Sequence, residues 1–352
     1  MKILHIVNHT KPLNGNVNVA VDLACTQAQM GHSVKLISQG GYFDEVLSNS
    51  SVEHIKVDFT RRPLTLLKAL RDLWITLKDY QPEIVHAHMM TVALLSFLFR
   101  PFFNFRLITT VHNEFEKSAI LMGVGDLVVA VSQAVANKMV DRGIPYSKLR
   151  VVINGVIGTP RLSSTLPSPK PLSHPAVIYV GGLHPRKAVD DLIEAFAITA
   201  HRITKAHLYI IGAGPCRDAY EKQAAETGVT DRIIFCGGEM DPRTYLLSGD
   251  LFILASHAEP GGLVIAEARS CGCAVIATQV DGIPEMLEGG KAGLLVPSKR
   301  PDLLAESMIQ VLSDEQILTD LKQRSLRNID FFIIERAAKD YLAIYEEALS
   351  VD

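Results

Sequence analysis

The sequence predicts an α/β protein made of two doubly wound domains, on the basis of three observations. Short runs rich in Val, Ile and Leu recur along the chain, and each is followed by a segment with helical spacing. The alternation pauses once, at the Pro- and Ser-rich stretch GTPRLSSTLPSPKPLSHP (158–175), and then restarts. The length of 352 residues suits two domains of roughly 150 residues each.

The first half carries the pattern of a parallel sheet. Its candidate strands lie at 2–9, 33–38, 53–58, 83–88, 106–112, 127–132 and 149–155. Their apolar residues run together rather than alternating, which is typical of strands that are buried on both faces. Helix-like segments lie between them, such as NVAVDLACTQAQMGH, for which Gly31 is the expected stop. We therefore expect a first domain at 1–160.

The second half repeats this pattern after a linker at 161–175. Its candidate strands lie at 176–182, 207–214, 232–238, 251–256, 273–279 and 292–297. From about residue 302 the chain has helical spacing without a further strand. We expect a second domain at 176–331. In doubly wound sheets a ligand sits beyond the carboxyl ends of the strands, so a cleft between the domains is the predicted site.

Composition and charge exclude several classes of protein. The formal net charge is −3, so no overall positive field points to nucleic acid. The five cysteines lack zinc-site spacing and suit the reduced thiols of a cytoplasmic protein. The apolar start of MKILHIVNH is too short for a signal peptide and is broken by His5. Arg100 and Pro101 interrupt the most apolar stretch (89–105), so no transmembrane helix is expected.

The segment EPGGLVIAE (259–267) places two glutamates around a glycine pair at a strand-to-helix junction. The glycines allow close approach of a ligand, and the helix start offers unpaired N–H groups to a phosphate. Glu267 lies about five residues into the helix, roughly 7 Å from that phosphate seat, where a ribose would lie. Glu259 is expected to be free to bind sugar hydroxyls. The alternative is a surface loop that precedes an ordinary helical glutamate.

Two glycine-containing loops extend this interpretation. Arg186 and Lys187 open a helix after the strand AVIYVGG, where they could neutralise a pyrophosphate; a solvated basic pair is the alternative. GAGP (212–215) ends the next strand, but Arg217 stands where a dinucleotide fingerprint needs its third glycine. An NAD enzyme is therefore disfavoured.

Histidines mark two neighbouring strand ends in the first domain. His112 ends TTVH, and the IVHAH run places His86 and His88 on one strand face. A histidine at a strand end is usually structural, but these two segments favour a site. The sequence contains no D-x-D pair, so we expect no metal and no other cofactor.

In the motifs now assembled, the chain resembles the glycosyltransferases of family 4, a retaining group with the GT-B fold. The resemblance spans nearly the whole chain and is strongest at 176–297. It is carried by E-x7-E at Glu259 and Glu267, the Arg186–Lys187 loop, IIGAGP, IIFCGG, DGIPEML and AGLLVP, with IVHAH, TTVHN, VVAVSQAV and VINGV in the first half. It implies two Rossmann-like domains that face each other across a cleft, and a last helix, about 332–352, that returns to the first domain.

The resemblance also implies roles for individual residues. Glu267 takes the ribose hydroxyls, Lys187 with Arg186 holds the diphosphate, and Glu259 holds the sugar. The backbone of the helix start holds the distal phosphate and the sugar through Gly261, Gly262, Leu263 and Val264. The strand-end residues assigned to the nucleotide are Gly182, Gly214, Phe235, Gly237 and Gly238.

Two further roles fall in the first domain. Gly15 closes over the phosphates, and His112 faces the transferred sugar. His112, Glu259, Lys187 and Arg186 are thus the catalytic candidates. Family members usually carry Arg at the position of Gly182 and paired glycines around Gly15, so this chain departs from the pattern at both places.

These features predict a metal-independent, retaining hexosyltransferase that uses a UDP-sugar, with UDP-glucose as the first candidate. The expected acceptor is a glycan or a lipid-linked saccharide in polysaccharide biosynthesis. A nucleotide-sugar-binding protein without activity is one alternative, because of Gly15 and Gly182. A sugar-nucleotide epimerase of the same fold is another, although no suitable set of carboxylates stands out in the first domain.

The segment TRRPLTLLKALRDLWITLK (60–78) combines basic residues, leucines and the single Trp. Such a segment could contact the anionic cytoplasmic face of a membrane. A helix that packs one face on the core is the alternative.

Overall fold

The computed structural model describes residues 1–12, 14–60 and 62–350. The chain forms two compact units. The first combines Met1–Ser164 with the chain from Phe332 on, and the second is Thr165–Phe331. The segment 161–175 contains neither helix nor strand; its first four residues belong to the first unit. Its Lys170 backbone carbonyl accepts a hydrogen bond of 2.5 Å from Ser248 of the second unit.

The first unit is built on a parallel sheet with the order β3-β2-β1-β4-β5-β6-β7. Its strands are β1 (Lys2–Ile6), β2 (Ser33–Ser38), β3 (Glu53–Lys56), β4 (Ile84–Ala87), β5 (Arg106–Val111), β6 (Leu127–Ala130) and β7 (Leu149–Val151). Because side chains alternate along a strand, Leu4 and Ile6 enter one apolar cluster, while Ile3 and Val7 enter the cluster on the other face. The strand order reverses between β1 and β4.

Helices connect these strands. They are α1 (Gly15–Gln29), α2 (Asp44–Asn49), α3 (Pro63–Tyr80), α4 (Met90–Phe99) and α5 (Gln133–Asp141). The side chain of Asn14 caps α1 by accepting a hydrogen bond of 3.1 Å from the Asn16 N–H. Shortly after α1, Gly31 adopts a φ of +89°, as its expected role as a stop requires.

The second unit repeats the architecture with the strand order β10-β9-β8-β11-β12-β13, again parallel. Its strands are β8 (Ala176–Val180), β9 (His207–Ile211), β10 (Ile233–Gly237), β11 (Leu251–Leu254), β12 (Ala274–Thr278) and β13 (Leu294–Val296). Its helices are α6 (Val189–Arg202), α7 (Arg217–Glu226), α8 (Arg243–Leu246), α9 (Leu263–Ser270), α10 (Ile283–Met286), α11 (Pro301–Ser313) and α12 (Glu315–Ser325). The order reverses between β8 and β11.

The last helix, α13 (Ile334–Ser350), packs in the first unit beside α1. Tyr341 and Tyr345 are fully buried in this contact. The resemblance implies a last helix that extends to about 352, and the final residues, Val351 and Asp352, lie outside the described residues. Short 3-10 segments complete the fold at Lys117–Val124, Tyr146–Lys148, Pro185–Lys187, Thr230–Arg232, Glu288–Gly290 and Ile329–Phe332.

The predicted fold class is confirmed, since both units are doubly wound parallel sheets covered by helices. Every candidate strand contains an observed strand, although most observed strands end two to four residues earlier than the apolar pattern suggests. Within the described ranges, no helix is both long enough and apolar enough to cross a bilayer.

Candidate functional site

The candidate site of the second unit lies where its strand order reverses, beyond the carboxyl ends of β8 and β11. Strands diverge to opposite sides of the sheet at such a point, which leaves a crevice between the loops that follow them. The loop after β8 leads through the 3-10 segment Pro185–Lys187 into α6, and the loop after β11 leads into α9. The sequence-predicted residues Arg186, Lys187 and Glu259 stand on these two loops.

The central contact of this site is an ion pair between Lys187 and Glu259. The Nζ of Lys187 donates to Oε2 of Glu259, and only 11% and 10% of the two side chains are exposed. Nη1 of Arg186 lies 4.0 Å from the same carboxylate oxygen. Glu259 is thus paired with a lysine, a contact that the sequence does not predict, and its carboxylate keeps lone pairs for further hydrogen bonds. A buried charge pair of this kind is costly to desolvate, so its presence is weak evidence for a contribution to stability.

The backbone of Glu259 is held in place from the loop after β12. The Glu259 N–H donates to Oδ2 of Asp281 at 2.8 Å, and the Gly282 N–H donates to the Glu259 carbonyl at 3.1 Å. Asp281 has a φ of +44°, a conformation that few residues other than glycine adopt. The roles of Asp281 and Gly282, which lie in the segment DGIPEML, could not be predicted from the sequence, because they depend on a contact between two separate loops.

The start of α9 is a glycine-containing strand-to-helix junction, as the sequence predicts. Gly262 precedes the helix with a φ of +58°, and its N–H lies 3.3 Å from Oε1 of Glu259. Leu263 and Val264 form the first turn, in which backbone N–H groups lack partners within the helix. Glu267 is the fifth residue of α9 and is half-buried, and its negative charge acts on Arg243.

The glycines after β8 and β9 serve packing. A side chain at Gly212 would begin 1.8 Å from the Gly181 carbonyl oxygen, and one at Gly214 would begin 2.4 Å from the Leu183 carbonyl oxygen. Gly214, predicted to bind nucleotide, thus has a structural reason to be glycine. At Gly182 a Cβ would meet the His184 ring at 2.9 Å.

The segment predicted to lie near the base follows β10. Phe235 is half-buried, and the strand has a register irregularity between Phe235 and Gly237. Gly237 has a φ of +79° and accepts a hydrogen bond of 2.7 Å from the Gly212 N–H. Gly238 is exposed at the end of the strand, and Gly261 is half-buried in the loop before α9.

In the first unit, four buried histidines gather where the strand order reverses between β1 and β4. Nδ1 of His5 lies 3.0 Å from Nε2 of His88, and Nδ1 of His88 lies 3.1 Å from Nε2 of His112. His86 lies beside His88, with ring centroids 4.0 Å apart and ring planes tilted by 33°. The pairing of His86 and His88 on one face was predicted, but the contribution of His5 was missed because β1 lies far away in sequence.

These imidazoles are neutral at physiological pH. Burial lowers the pKa of His5 to about 4, despite its hydrogen bond to Gln27, and burial likewise lowers the pKa of His112 to about 4. For His86 and His88, burial is the largest cause and the neighbouring histidines add to it; together they lower both pKa values well below 6.5. A neutral imidazole offers one donor and one acceptor, which suits hydrogen bonding better than charge stabilisation.

His5, His86 and His88 are also close enough together to suggest a metal site. However, all six of their ring nitrogens have hydrogen-bond partners: those of His86 contact the Tyr345 hydroxyl at 2.6 Å and Thr110 Oγ1 at 2.7 Å. A metal ion would have to displace several of these contacts. The cluster therefore fits a hydrogen-bonded core better than a metal centre.

Gly15 is placed at the first position of α1, after β1. It is exposed, and a Cβ added there would meet no atom within 4 Å among the described residues. The structure thus gives Gly15 no packing reason to be glycine.

Comparisons with known proteins agree with this architecture. Residues 13–157 match the family Glycosyltransferase Family 4, and residues 167–327 match Glycosyl transferases group 1. N-acetyl-alpha-D-glucosaminyl L-malate synthase of Bacillus anthracis is 25% identical over 97% of this chain and 96% of its own length. The lipopolysaccharide core biosynthesis glycosyltransferase LpsE of Rhizobium meliloti is 30% identical over 56% of this chain and 57% of its own.

A solved structure shows the same fold. The Anabaena protein HepE, crystallised in complex with UDP-glucose, superposes with a TM-score of 0.85 at 19% identity, over 99% of this chain and 100% of that one.

Proposed function

This chain belongs to glycosyltransferase family 4 and has the GT-B fold, and we propose that it is a metal-independent, retaining transferase that moves a hexose from a UDP-sugar. The proposed donor is UDP-glucose, and the proposed acceptor is a glycan or a lipid-linked saccharide. The name of LpsE, which concerns lipopolysaccharide, and the UDP-glucose bound to HepE support these choices.

The observation that carries the proposal is the Lys187–Glu259 pair beside the start of α9. An ammonium group has three donors, so Lys187 can hold Glu259 and a phosphate oxygen at the same time. The first N–H groups of α9 and Arg186 add positive charge to the same place. Glu267 stands one helical turn further, where its carboxylate can accept hydrogen bonds from a ribose diol.

In the proposed reaction, the acceptor hydroxyl attacks the anomeric carbon from the side of the leaving diphosphate. The bond from that carbon to the phosphate oxygen breaks, the bond to the acceptor oxygen forms, and the acceptor proton passes to the departing diphosphate. Lys187, Arg186 and the start of α9 stabilise the charge that develops on the diphosphate, while Glu259 orients the sugar.

Donor hydrolysis tests this proposal without knowledge of the acceptor. In the presence of EDTA, we expect UDP release from UDP-glucose, with α-glucose as the first anomer seen by proton NMR. The variant Lys187→Met should lower this rate at least about a hundredfold, as loss of one strong electrostatic contact does at other active sites. Initial β-glucose or loss of activity in EDTA would contradict the mechanism. Tight UDP binding without turnover of any donor would favour the alternative of a binding protein.

We further propose that the exposed side of α3 contacts an anionic membrane at the cytoplasmic face. The helix buries Ala69, Leu73, Thr76, Leu77 and Tyr80. On its exposed side lie four apolar and three basic residues at helical spacing: Leu64, Leu67, Trp74 and Ile75, with Lys68, Arg71 and Lys78. Arg61, at the start of the sequence-predicted segment, lies outside the described residues.

Aromatic residues after α4 extend this surface. The Trp74 ring lies 5.4 Å from the Phe102 ring and 4.7 Å from the Phe103 ring. Phe102 is 65% exposed, and Phe97 and Leu98 are exposed nearby in the chain. Apolar groups surrounded by basic side chains are the chemistry that binds an anionic lipid interface.

Vesicle flotation tests the membrane proposal. At low salt, the protein should float with phosphatidylglycerol vesicles but not with phosphatidylcholine vesicles. The double substitution Leu64→Asp and Leu67→Asp should abolish flotation. The two leucine side chains are 83% and 63% exposed, so the substitutions would place negative charge in the lipid interface. Leu166→Asp, at an exposed leucine of the second unit, is the matched control and should float normally. Wild-type protein that stays at the bottom of the gradient at low salt would rule out membrane binding by this surface.

A further inference from the structure

A continuous row of hydrogen bonds leads from α1 to the predicted sugar-facing histidine. Oε1 of Gln27 lies 2.8 Å from Nε2 of His5. Nδ1 of His5 contacts Nε2 of His88, and Nδ1 of His88 contacts Nε2 of His112. Gln27, His5 and His88 are almost entirely buried, and His112 is 8% exposed. The proposed reaction gives no role to Gln27, His5 or His88.

The row has a direction, because each neutral imidazole carries only one N–H. In the structure the amide oxygen of Gln27 faces His5, and Nε2 of Gln27 is buried without a hydrogen-bond partner among the described residues. Because an amide oxygen only accepts, this orientation makes Nε2 of His5 the nitrogen that donates to Gln27. Nδ1 of His5 then has a lone pair, and Nε2–H of His88 donates to it. By the same reasoning, Nδ1 of His88 accepts from Nε2–H of His112.

This leaves Nδ1 of His112 with a lone pair at the end of the row. Among the described residues, that nitrogen has no hydrogen-bond partner. His112 is more than nine-tenths buried, but its Nδ1 reaches the surface of the first unit, where a ligand can supply a donor to this nitrogen. Sugar hydroxyls are donors of the right kind, whereas a phosphate oxygen at neutral pH would meet the lone pair unfavourably.

We propose that Gln27, His5 and His88 are positioning residues that fix His112 in its Nε2–H tautomer, so that its Nδ1 accepts a hydrogen bond from a hydroxyl of the transferred sugar. The hydrogen bond between His112 and the sugar rests on the proposed function, whereas the tautomer of His112 does not. His112 then orients the donor sugar as a neutral acceptor and takes no part as an acid. The low pKa of His112 agrees with this role.

Nitrogen NMR of the full-length protein with ¹⁵N-labelled histidine measures the tautomers directly. At pH 7, His5, His88 and His112 should each show an unprotonated Nδ1 and a protonated Nε2. A protonated Nδ1 at any of the three would overturn the proposed direction. Since this measurement needs no donor or acceptor, it judges the tautomer even if the chain transfers no sugar.

The variant Gln27→Met removes the acceptor that starts the row while keeping a side chain of similar length. We expect the His112 nitrogens to show a mixture of tautomers and the transfer rate to fall about fivefold, as for the loss of one hydrogen bond. UDP affinity should not change, because the residues proposed to bind the nucleotide belong to the second unit, apart from Gly15 at the opposite end of α1. Gln29→Met, at an exposed position on the same helix, is the control and should change neither.

If Gln27→Met folds normally, either of two results would overturn the inference. His112 could keep a single Nε2–H tautomer in the variant, which would show that the row does not set it. Alternatively, the tautomer could change while transfer from UDP-glucose stays at the wild-type rate, which would show that Nδ1 does not contact the sugar. If Gln27→Met does not fold, the wild-type spectrum alone decides the direction.

Discussion

The first unit is expected to lose stability steeply as the pH falls from 6.5 towards 4. Its four clustered histidines have folded-state pKa values far below 6.5, because burial opposes their charged form. In this range the unfolded chain binds protons that the folded unit cannot, so acid favours unfolding. Each such histidine lowers the free energy of unfolding by up to about 1.4 kcal/mol per pH unit.

Asp22 works in the opposite direction. Burial raises its pKa to about 6 in spite of Arg161, which lies 2.8 Å away, so the folded unit takes up one proton before the unfolded chain does. The four histidines less the one aspartate leave a net uptake of up to about three protons on unfolding. The free energy of unfolding should therefore fall by up to about 4 kcal/mol per pH unit, which is a large part of the stability of an ordinary domain.

Urea unfolding between pH 7 and 5 measures this slope, and fluorescence of Trp74, the single Trp, reports on the first unit. The variant His88→Gln should reduce the slope by the share of one histidine, whereas His201→Gln, at an exposed position of the second unit, should leave it unchanged. A free energy of unfolding that stays constant from pH 7 to 5 would show that the cluster is not neutral and buried.

Replacing Glu267 with alanine is expected to weaken nucleotide binding about 10- to 150-fold, the effect of losing charge-assisted hydrogen bonds to two ribose hydroxyls. The substitution lies inside α9, and alanine is the better helix former, so the fold should survive. The defect should therefore appear in affinity rather than in thermal stability.

Glu306→Ala is the matched control for this variant. Glu306 is an exposed helical glutamate of the same unit, on α11, and its loss should leave affinity unchanged. Equal affinity of Glu267→Ala and wild type would remove Glu267 from the site, whatever the effect of other substitutions.

The fold could be predicted well from the sequence because buried parallel strands leave long apolar runs. The ends of those strands could not be placed, since runs such as AVIYVGG and HLYIIGAG continue into loops whose glycines pack backbone against backbone. Hydrophobicity alone does not distinguish a strand residue from a loop residue that is equally buried.

The candidate site was predictable where its residues are close in sequence. Glu259, Gly262 and Glu267 belong to one strand-to-helix junction, as the sequence predicts. That they bind a phosphate and a ribose is part of the proposed function. Long-range contacts were not visible. The pairing of Glu259 with Lys187 and the link of His5 to His88 join residues 72 and 83 positions apart, and only the sheet order brings them together.

The central claim is that the carboxyl ends of β8 and β11 form the nucleotide site of the donor. Calorimetric titration of wild type and Glu267→Ala with UDP, GDP and ADP, without metal, tests it most directly. We expect wild type to bind UDP most tightly and Glu267→Ala to lose most of that affinity. Wild type that binds none of the three nucleotides, or a variant that binds as wild type does, would contradict the site.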